Sequence, residues 1–297
     1  MNLEKRYLNK WTKWLVENRQ NYFDPNKTCV VGIGVTTDEL KSSVSKTIPL
    51  LENPSWEPSA VAAEDKEYVS QWTGGIVYQN DVATNQFSYQ ESEANKAYFS
   101  VSWEAPSFHD EQRYAAHVLR VLLGGGSAFS SGGPGKGITA ILYAEVLASS
   151  LGQSFEQFKA LYKEFDDSGI FTIYGLASEH NLKLGLEQCI QVVKKLESVS
   201  FFFETNPSDI SFQGKFTDKQ LTRAKRQLIC EYLREMEVRP TMFEAFARET
   251  QVYGHPIGPT EQCKSIEAVK KADIIKLCRN LLASKPAIAL LGKLQPS

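Results

Sequence analysis

The chain alternates between apolar stretches of two periods. After the turn signal Asp24-Pro25-Asn26-Lys27, the run Thr28-Cys29-Val30-Val31-Gly32-Ile33-Gly34-Val35 is continuously apolar and predicts a buried strand. A helix is predicted over Thr37 to Thr47. Strict alternation marks Ala97-Tyr98-Phe99-Ser100-Val101-Ser102-Trp103 as a strand, and Gly169 to Leu176 as another, while Thr73 to Tyr78 opens the second half of the chain. Tyr114, His117, Val118, Val121 and Leu122 recur at helical spacing within Asp110 to Leu123, and a further helix is predicted over Ile138 to Ser149. Helices follow at Asn181 to Ser198, Asp218 to Met236, Met242 to Tyr253 and Ser265 to Ala283. Pro286 stops the last before a short strand, Ala287 to Leu291.

Strands and helices do not alternate one to one, which favours α+β, with helices packed on a mixed or antiparallel sheet. A length of 297 residues accommodates one large or two moderate units. Pro49, Pro54 and Pro58 fall among small and acidic residues without sustained period, so 49–72 reads as a linker between units 1–48 and 73–297. The stretch Phe201 to Phe216, aromatic and aperiodic, reads as an inserted loop. The opening Met1 to Gln20 sets Lys5, Arg6, Lys10, Lys13 and Arg19 around Trp11, Leu15 and Val16. Its Glu4 and Glu17 and its lack of serines make it an ordinary amphipathic helix rather than a transit peptide.

A net charge of −2 with interspersed signs provides no basic field, so no nucleic-acid partner is expected. No apolar run approaches the ~18 residues of a membrane helix, and no direct membrane insertion is expected. The cysteines Cys29, Cys189, Cys230, Cys263 and Cys278 form an odd set without a Cys-x-x-Cys pair. Most lie in apolar stretches, as in a reducing compartment.

The candidate site is Gly124-Gly125-Gly126-Ser127-Ala128-Phe129-Ser130-Ser131-Gly132-Gly133-Pro134-Gly135-Lys136-Gly137, in which seven of fourteen residues are glycine. Such a stretch bends freely and can present N–H and C=O groups to an extended partner, with Phe129 as its one large apolar group. Three features disagree with a phosphate-binding loop. Ser130 stands where the first glycine belongs, Gly137 replaces the magnesium-binding hydroxyl, and a helix rather than a strand precedes the stretch. On residues alone it reads equally as a plain linker between two helices or as a binding loop. No chemistry is assigned to Lys136, and the serines read as backbone hydrogen-bonders.

This stretch resembles the glycine-rich loop of the mitochondrial processing peptidase alpha-subunit family, noncatalytic members of the M16 metallopeptidase-like proteins. Further similarities flank it in order. Before it come Tyr7-Leu8 to Pro25, Val30 to Val35, Trp72-Thr73-Gly74-Gly75 and Pro106-Ser107-Phe108. After it come Leu142-Tyr143, Asp167 to Phe171, Leu221 to Lys225, Arg239-Pro240 and Lys285-Pro286-Ala287. The resemblance implies a LuxS/MPP-like fold with residues 1–48 as the remnant of a first, N-terminally truncated half. It implies a presequence-binding role for Gly124 to Gly137, a heterodimer with a beta subunit that carries the zinc, no cofactor in this chain, and a place in the mitochondrial matrix or a related organelle. A core subunit of the respiratory cytochrome bc1 complex shares the fold and is the alternative.

Catalytic patterns are missing from the sequence. It contains no His-x-x-Glu-His, which would set two zinc-binding imidazoles and a water-activating glutamate on one helical face, and no Gly-x-Ser-x-Gly. The four histidines, His109, His117, His180 and His255, lack ligand spacing and read as surface or helix-packing residues. Glu164, Asp166 and Asp167 read as a solvated turn, although they could attract a basic peptide.

Overall fold

The computed structural model describes residues 28–47, 71–79, 96–127, 140–197 and 216–292. The opening helix, the linker at 49–70, and all of the 201–216 insertion except Phe216 lie outside the described residues. The chain divides into two compact units, 1–69 with 235–257, and 70–234 with 258–297.

In the first unit, α1 (Thr37–Thr47) starts where Thr36 and Glu39 cap one another. The Thr36 N–H donates to Glu39 Oε2 at 2.8 Å, and the Glu39 N–H donates to Thr36 Oγ1 at 3.3 Å. The strand expected at Thr28 to Val35 is absent: 28–32 are irregular, 33–35 bend, and Val30, Ile33 and Val35 are 40–51% exposed. A strand is held only by a neighbour that takes its N–H and C=O groups, and no described strand lies alongside this stretch.

The second unit holds a six-stranded sheet of order β1-β6-β2-β5-β4-β3. Its strands are β1 (Gly75–Gln79), β2 (Lys96–Ala105), β3 (Gly125–Ser127), β4 (Phe155–Glu164), β5 (Gly169–Ser178) and β6 (Ala287–Leu291). All neighbours are antiparallel except β1 and β6, which run parallel. The β1–β6 pair is anchored at its start, where the Trp72 indole N–H donates to the Lys285 carbonyl at 2.6 Å and the Gly75 N–H to that of Pro286 at 3.2 Å.

Alternation in β2 sends Ala97, Phe99, Val101 and Trp103 to one face, and in β5 it sends Phe171, Ile173 and Ala177 to the same core. The helices α2 (Arg113–Leu123), α3 (Leu182–Glu197) and α7 (Lys271–Ala283) pack against the sheet. The other face carries half-exposed Tyr98 and Leu161 and the cross-strand bond between the Ser102 and Thr172 hydroxyls, 2.9 Å apart. Each fully buried large side chain contributes about 1.5–3 kcal/mol.

β4 was not expected from the sequence. A bulge between Phe155 and Gln157 shifts its phase, so the buried positions fall at Phe155, Phe158, Ala160 and Tyr162, and its Glu, Gln, Lys and Ala residues favour helix. The helix expected over Ser265 to Ala283 is also two helices, α6 (Pro259–Ala268) and α7. The break comes at Val269 and Lys270, whose backbones are extended, where the Asp273 carboxylate accepts the Lys270 N–H at 2.7 Å and starts α7 afresh. Phe216 is core rather than inserted loop: it is 1% exposed, with Lys271 Nζ 5.1 Å from its ring centroid. Two further long helices are α4 (Asp218–Glu237) and α5 (Arg239–Tyr253), the latter in the first unit.

The five thiols separate by depth. Cys189 and Cys278 are buried, Cys263 is intermediate, and Cys29 and Cys230 are exposed, so two rather than most of the five pack in the core.

At the core centre, Phe99 meets Phe155 and Phe158 edge-on, with centroids 6.1 and 5.4 Å away. Its ring fits because two glycines leave room. A Cβ on Gly185 of α3 would lie 2.6 Å from Phe99 Cζ, and one on Gly175 of β5 would lie 2.5 Å from Cζ and 2.6 Å from the Gln157 carbonyl. Gly175→Ala is therefore expected to destabilise the chain by about 1–3 kcal/mol. The effect should read as a lowered urea midpoint at unchanged slope, and an unchanged midpoint would show that the ring yields freely.

Candidate functional site

The glycine-rich stretch begins where α2 stops. Buried apolar positions Ala115, Val118, Leu119, Leu122 and Leu123 hold α2 on the sheet. Gly124 ends it with φ +49°, its N–H donating to the Arg120 carbonyl at 2.8 Å. A side chain there would put Cβ 2.7 Å from that of Ala140. The Gly124 carbonyl accepts the Ala160 N–H at 2.9 Å, and Gly125, Gly126 and Ser127 then lie opposite Lys159, Phe158 and Gln157. The first residues after the helix are thus a strand at the sheet's edge. Ala128, Phe129, Ser130, Ser131, Gly132, Gly133, Pro134, Gly135, Lys136 and Gly137 lie outside the described residues.

The chain is described again from Ala140, and the helix expected over Ile138 to Ser149 is here a short turn with a π segment, Tyr143–Leu147, closed by the Ala148 N–H donating to the Tyr143 carbonyl at 2.8 Å. Such wide turns recur at functional sites. This one packs against β3 and β4. It carries Glu145, whose side chain is 7% exposed. Glu145 Oε2 lies 2.8 Å from Lys195 Nζ, and Oε1 is buried without a hydrogen-bond partner among the described residues.

A second polar group joins the N-terminal turns of α2 to the end of β4. Arg113 grips Glu164 with both prongs, Nε to Oε2 at 2.7 Å and Nη2 to Oε1 at 3.1 Å. His117 Nε2 lies 3.1 Å from the same Oε2, its ring stands edge-on to Tyr162 with centroids 4.8 Å apart, and the Tyr162 hydroxyl donates to the Pro106 carbonyl at 2.7 Å. The Arg113 guanidinium also covers the Phe108 and Tyr114 rings at 5.0 and 5.2 Å. Burial opposes ionisation of Glu164, but the His117 and Arg113 hydrogen bonds and charges outweigh it and hold the carboxyl at about 2. Burial, reinforced by the Glu164 charge, pushes the Tyr162 hydroxyl up.

Glu164 is therefore a buried ion-pair member, not part of a solvated turn. The turn beyond it does face solvent: Asp166 meets His109 Nε2 at 2.8 Å, and Asp167 accepts the Ser168 hydroxyl at 3.0 Å. A cavity of about 280 Å³ opens beside it between Glu104, Asp110, Asp167, Leu277 and Leu281, but Asp110 is engaged with the Gln112 N–H at 2.7 Å. Among the described residues no group of three or more His, Cys, Asp or Glu side chains is placed to hold a metal, and no helix is long and apolar enough to cross a membrane.

Sequence reasoning missed Glu145, Lys195 and the Arg113–Glu164–His117 group. The signal available for the last was the polar pair Arg113 and His117, one helical turn apart on a largely apolar helix. Glu145 sits between Leu142 and Val146–Leu147, where an acidic residue breaks an apolar turn.

A family model described as Peptidase M16 inactive domain matches residues 15–200. The alpha subunit of the mitochondrial-processing peptidase of Caenorhabditis elegans is 30% identical over 276 residues, which span 91% of this chain and 50% of that protein. The Homo sapiens alpha subunit is 28% identical over 275 residues, 93% of this chain and 49% of that one. The chain thus spans about half the length of the curated relatives it matches. Among solved structures, a chain of Complex III2 from Candida albicans, with Inz-5 bound, superposes with a TM-score of 0.63 at 17% identity, covering 87% of this chain and 53% of that chain. That likeness is one of fold.

The Arg113–Glu164–His117 group makes stability depend on pH. With the folded carboxyl at about 2 against an ordinary 4.5, its contribution is complete above about pH 4.5 and lost as the pH falls towards 2. The difference is on the order of 3 kcal/mol. Urea midpoints measured across this window should fall steeply for the native chain and more gently for Glu164→Gln, which starts from a lower plateau.

Proposed function

The chain belongs to the Peptidase M16 inactive-domain family, and on that premise we propose that it is the substrate-handling part of a mitochondrial processing peptidase alpha subunit. It binds the presequences of imported precursors and passes them to a zinc-bearing beta subunit that cleaves them. The work is done in the mitochondrion, in the matrix or the corresponding compartment of a related organelle. Residues 1–48 are then the end of a preceding related half, and 49–72 the connector to 73–297.

Three observations support the reading. The relatives just described carry that name, the sequence lacks His-x-x-Glu-His, and a glycine-dense stretch leaves α2 directly along the sheet edge. The last carries the most weight. Backbone exposed at an edge strand binds backbone, and a reader of many presequences must grip what they share rather than their side chains. In this scheme the chain's own residues orient the peptide, and the hydrolytic chemistry comes from the zinc of the partner.

The experiment is removal of residues 128–137 from an alpha subunit containing this chain, co-produced with its beta subunit. Cross-linking of a labelled presequence peptide and precursor cleavage should each fall by roughly tenfold or more, equivalent to at least about 1.4 kcal/mol, while the beta subunit still copurifies. Unchanged cleavage would remove the loop from the mechanism. Copurification with a haem-containing membrane complex would instead support the bc1 core reading.

A further inference from the structure

We propose that Glu145 and Lys195 are positioning residues: their ion pair ties the π turn to α3 and so sets where β3 lies, a role that rests on the peptide-handling reading above.

The pair is a poor device for stability. The Glu145 side chain is 7% exposed whereas that of Lys195 is 45% exposed, so the carboxylate has left water while the ammonium remains half in it. Taking the carboxylate out of water is costly, and attraction to a half-exposed partner is weakened by solvent. Oε1 adds a further cost, since it is buried with no hydrogen-bond partner among the described residues. An apolar side chain of the same length would suit the site better. Glu145 lies three residues beyond Leu142 and one before Val146, both fully buried.

The pair does fix a position. Lys195 stands in the last turn of α3, beside the buried Val192, Val193 and Leu196, and α3 packs on β2 and β5. Glu145 stands in the middle of the π turn, which packs on β3 and β4. The 2.8 Å contact therefore joins the most firmly seated helix face to the turn that lies against the edge strand. β3 depends on such support because it is three residues long and two of them are glycine, with no side chains to anchor it and a poor preference for strand. Its own ties are the ladder to β4 and the bonds of Gly124. The π turn supplies the remaining contact, and its wide geometry is one a chain seldom keeps without a constraint.

This assignment separates function from stability, and the test measures both on an alpha subunit containing this chain, co-produced with its beta subunit. Glu145→Met should leave the urea midpoint at or above the native value. In the same variant the KM for a precursor should rise by roughly tenfold while kcat stays within about twofold, because the chemistry belongs to the partner. Lys195→Arg keeps a pairing cation and should keep the native KM. If Glu145→Met does not fold by circular dichroism, Glu145→Gln, of the same shape, is measured in the same two ways. A lowered midpoint that accompanies the change in KM makes the pair an ordinary structural contact and overturns the assignment, as does an unchanged KM. Removal of residues 128–137 tells the two ideas apart. Where that deletion still abolishes processing, an unchanged KM in Glu145→Met overturns the positioning role alone; where the deletion has no effect, the peptide-handling reading falls with it.

Discussion

The Phe99 ring is seated between a helix and a strand that each surrender a side chain to it. Gly185 lets α3 come down onto the sheet, Gly175 lets the ring lie over β5, and Phe155 and Phe158 of β4 close around its edges. This contact sets how far the helices stand from the strands. The sheet in turn positions α2, since α2 rests on β4. α2 ends at Gly124, where an added Cβ would lie 2.7 Å from that of Ala140, and the glycine-rich stretch begins there.

Glycine thus serves two purposes in one molecule. At Gly175 and Gly185 it admits a neighbour's bulk. At Gly124 it permits a backbone angle that reverses the chain between helix and edge strand. Beyond that point Gly125, Gly126 and Ser127 form β3, outermost in the strand order of the described residues. The Arg113–Glu164–His117 group ties the other end of α2 to the far end of β4, so the helix that delivers the edge strand is held at both ends.

Much of this was legible in the residues. β2, β5 and β6, together with α1 and α3, follow their periods closely, because each buries one face and local pattern matches tertiary demand. β4 escaped because its bulge interrupts the alternation and its composition favours helix. The α6–α7 break escaped because the apolar spacing carries across it. Thr28 to Val35 shows the opposite error: an apolar run states what could be buried, but pairing requires a partner that periodicity cannot supply. For the site, the glycine run stood out at once. Its strand character did not, since glycine has poor strand propensity and only the register with β4 reveals it. Ion pairs between α2 and β4, or between Glu145 and Lys195, join residues 47 to 51 positions apart and leave no mark on local sequence.

The depth of the thiols has a consequence for how the molecule can be watched. Burial pushes the Cys278 thiol up to about 12 and Cys189 higher still, whereas Cys29 and Cys230 stand at the surface. Cys278 lies in α7 and Cys189 in α3, two helices that pack on each other over the sheet. An alkylating reagent therefore reaches the two interior sulfurs only when those helices part. The rate at which it does so is a clock, already built into the chain, for the breathing of its core.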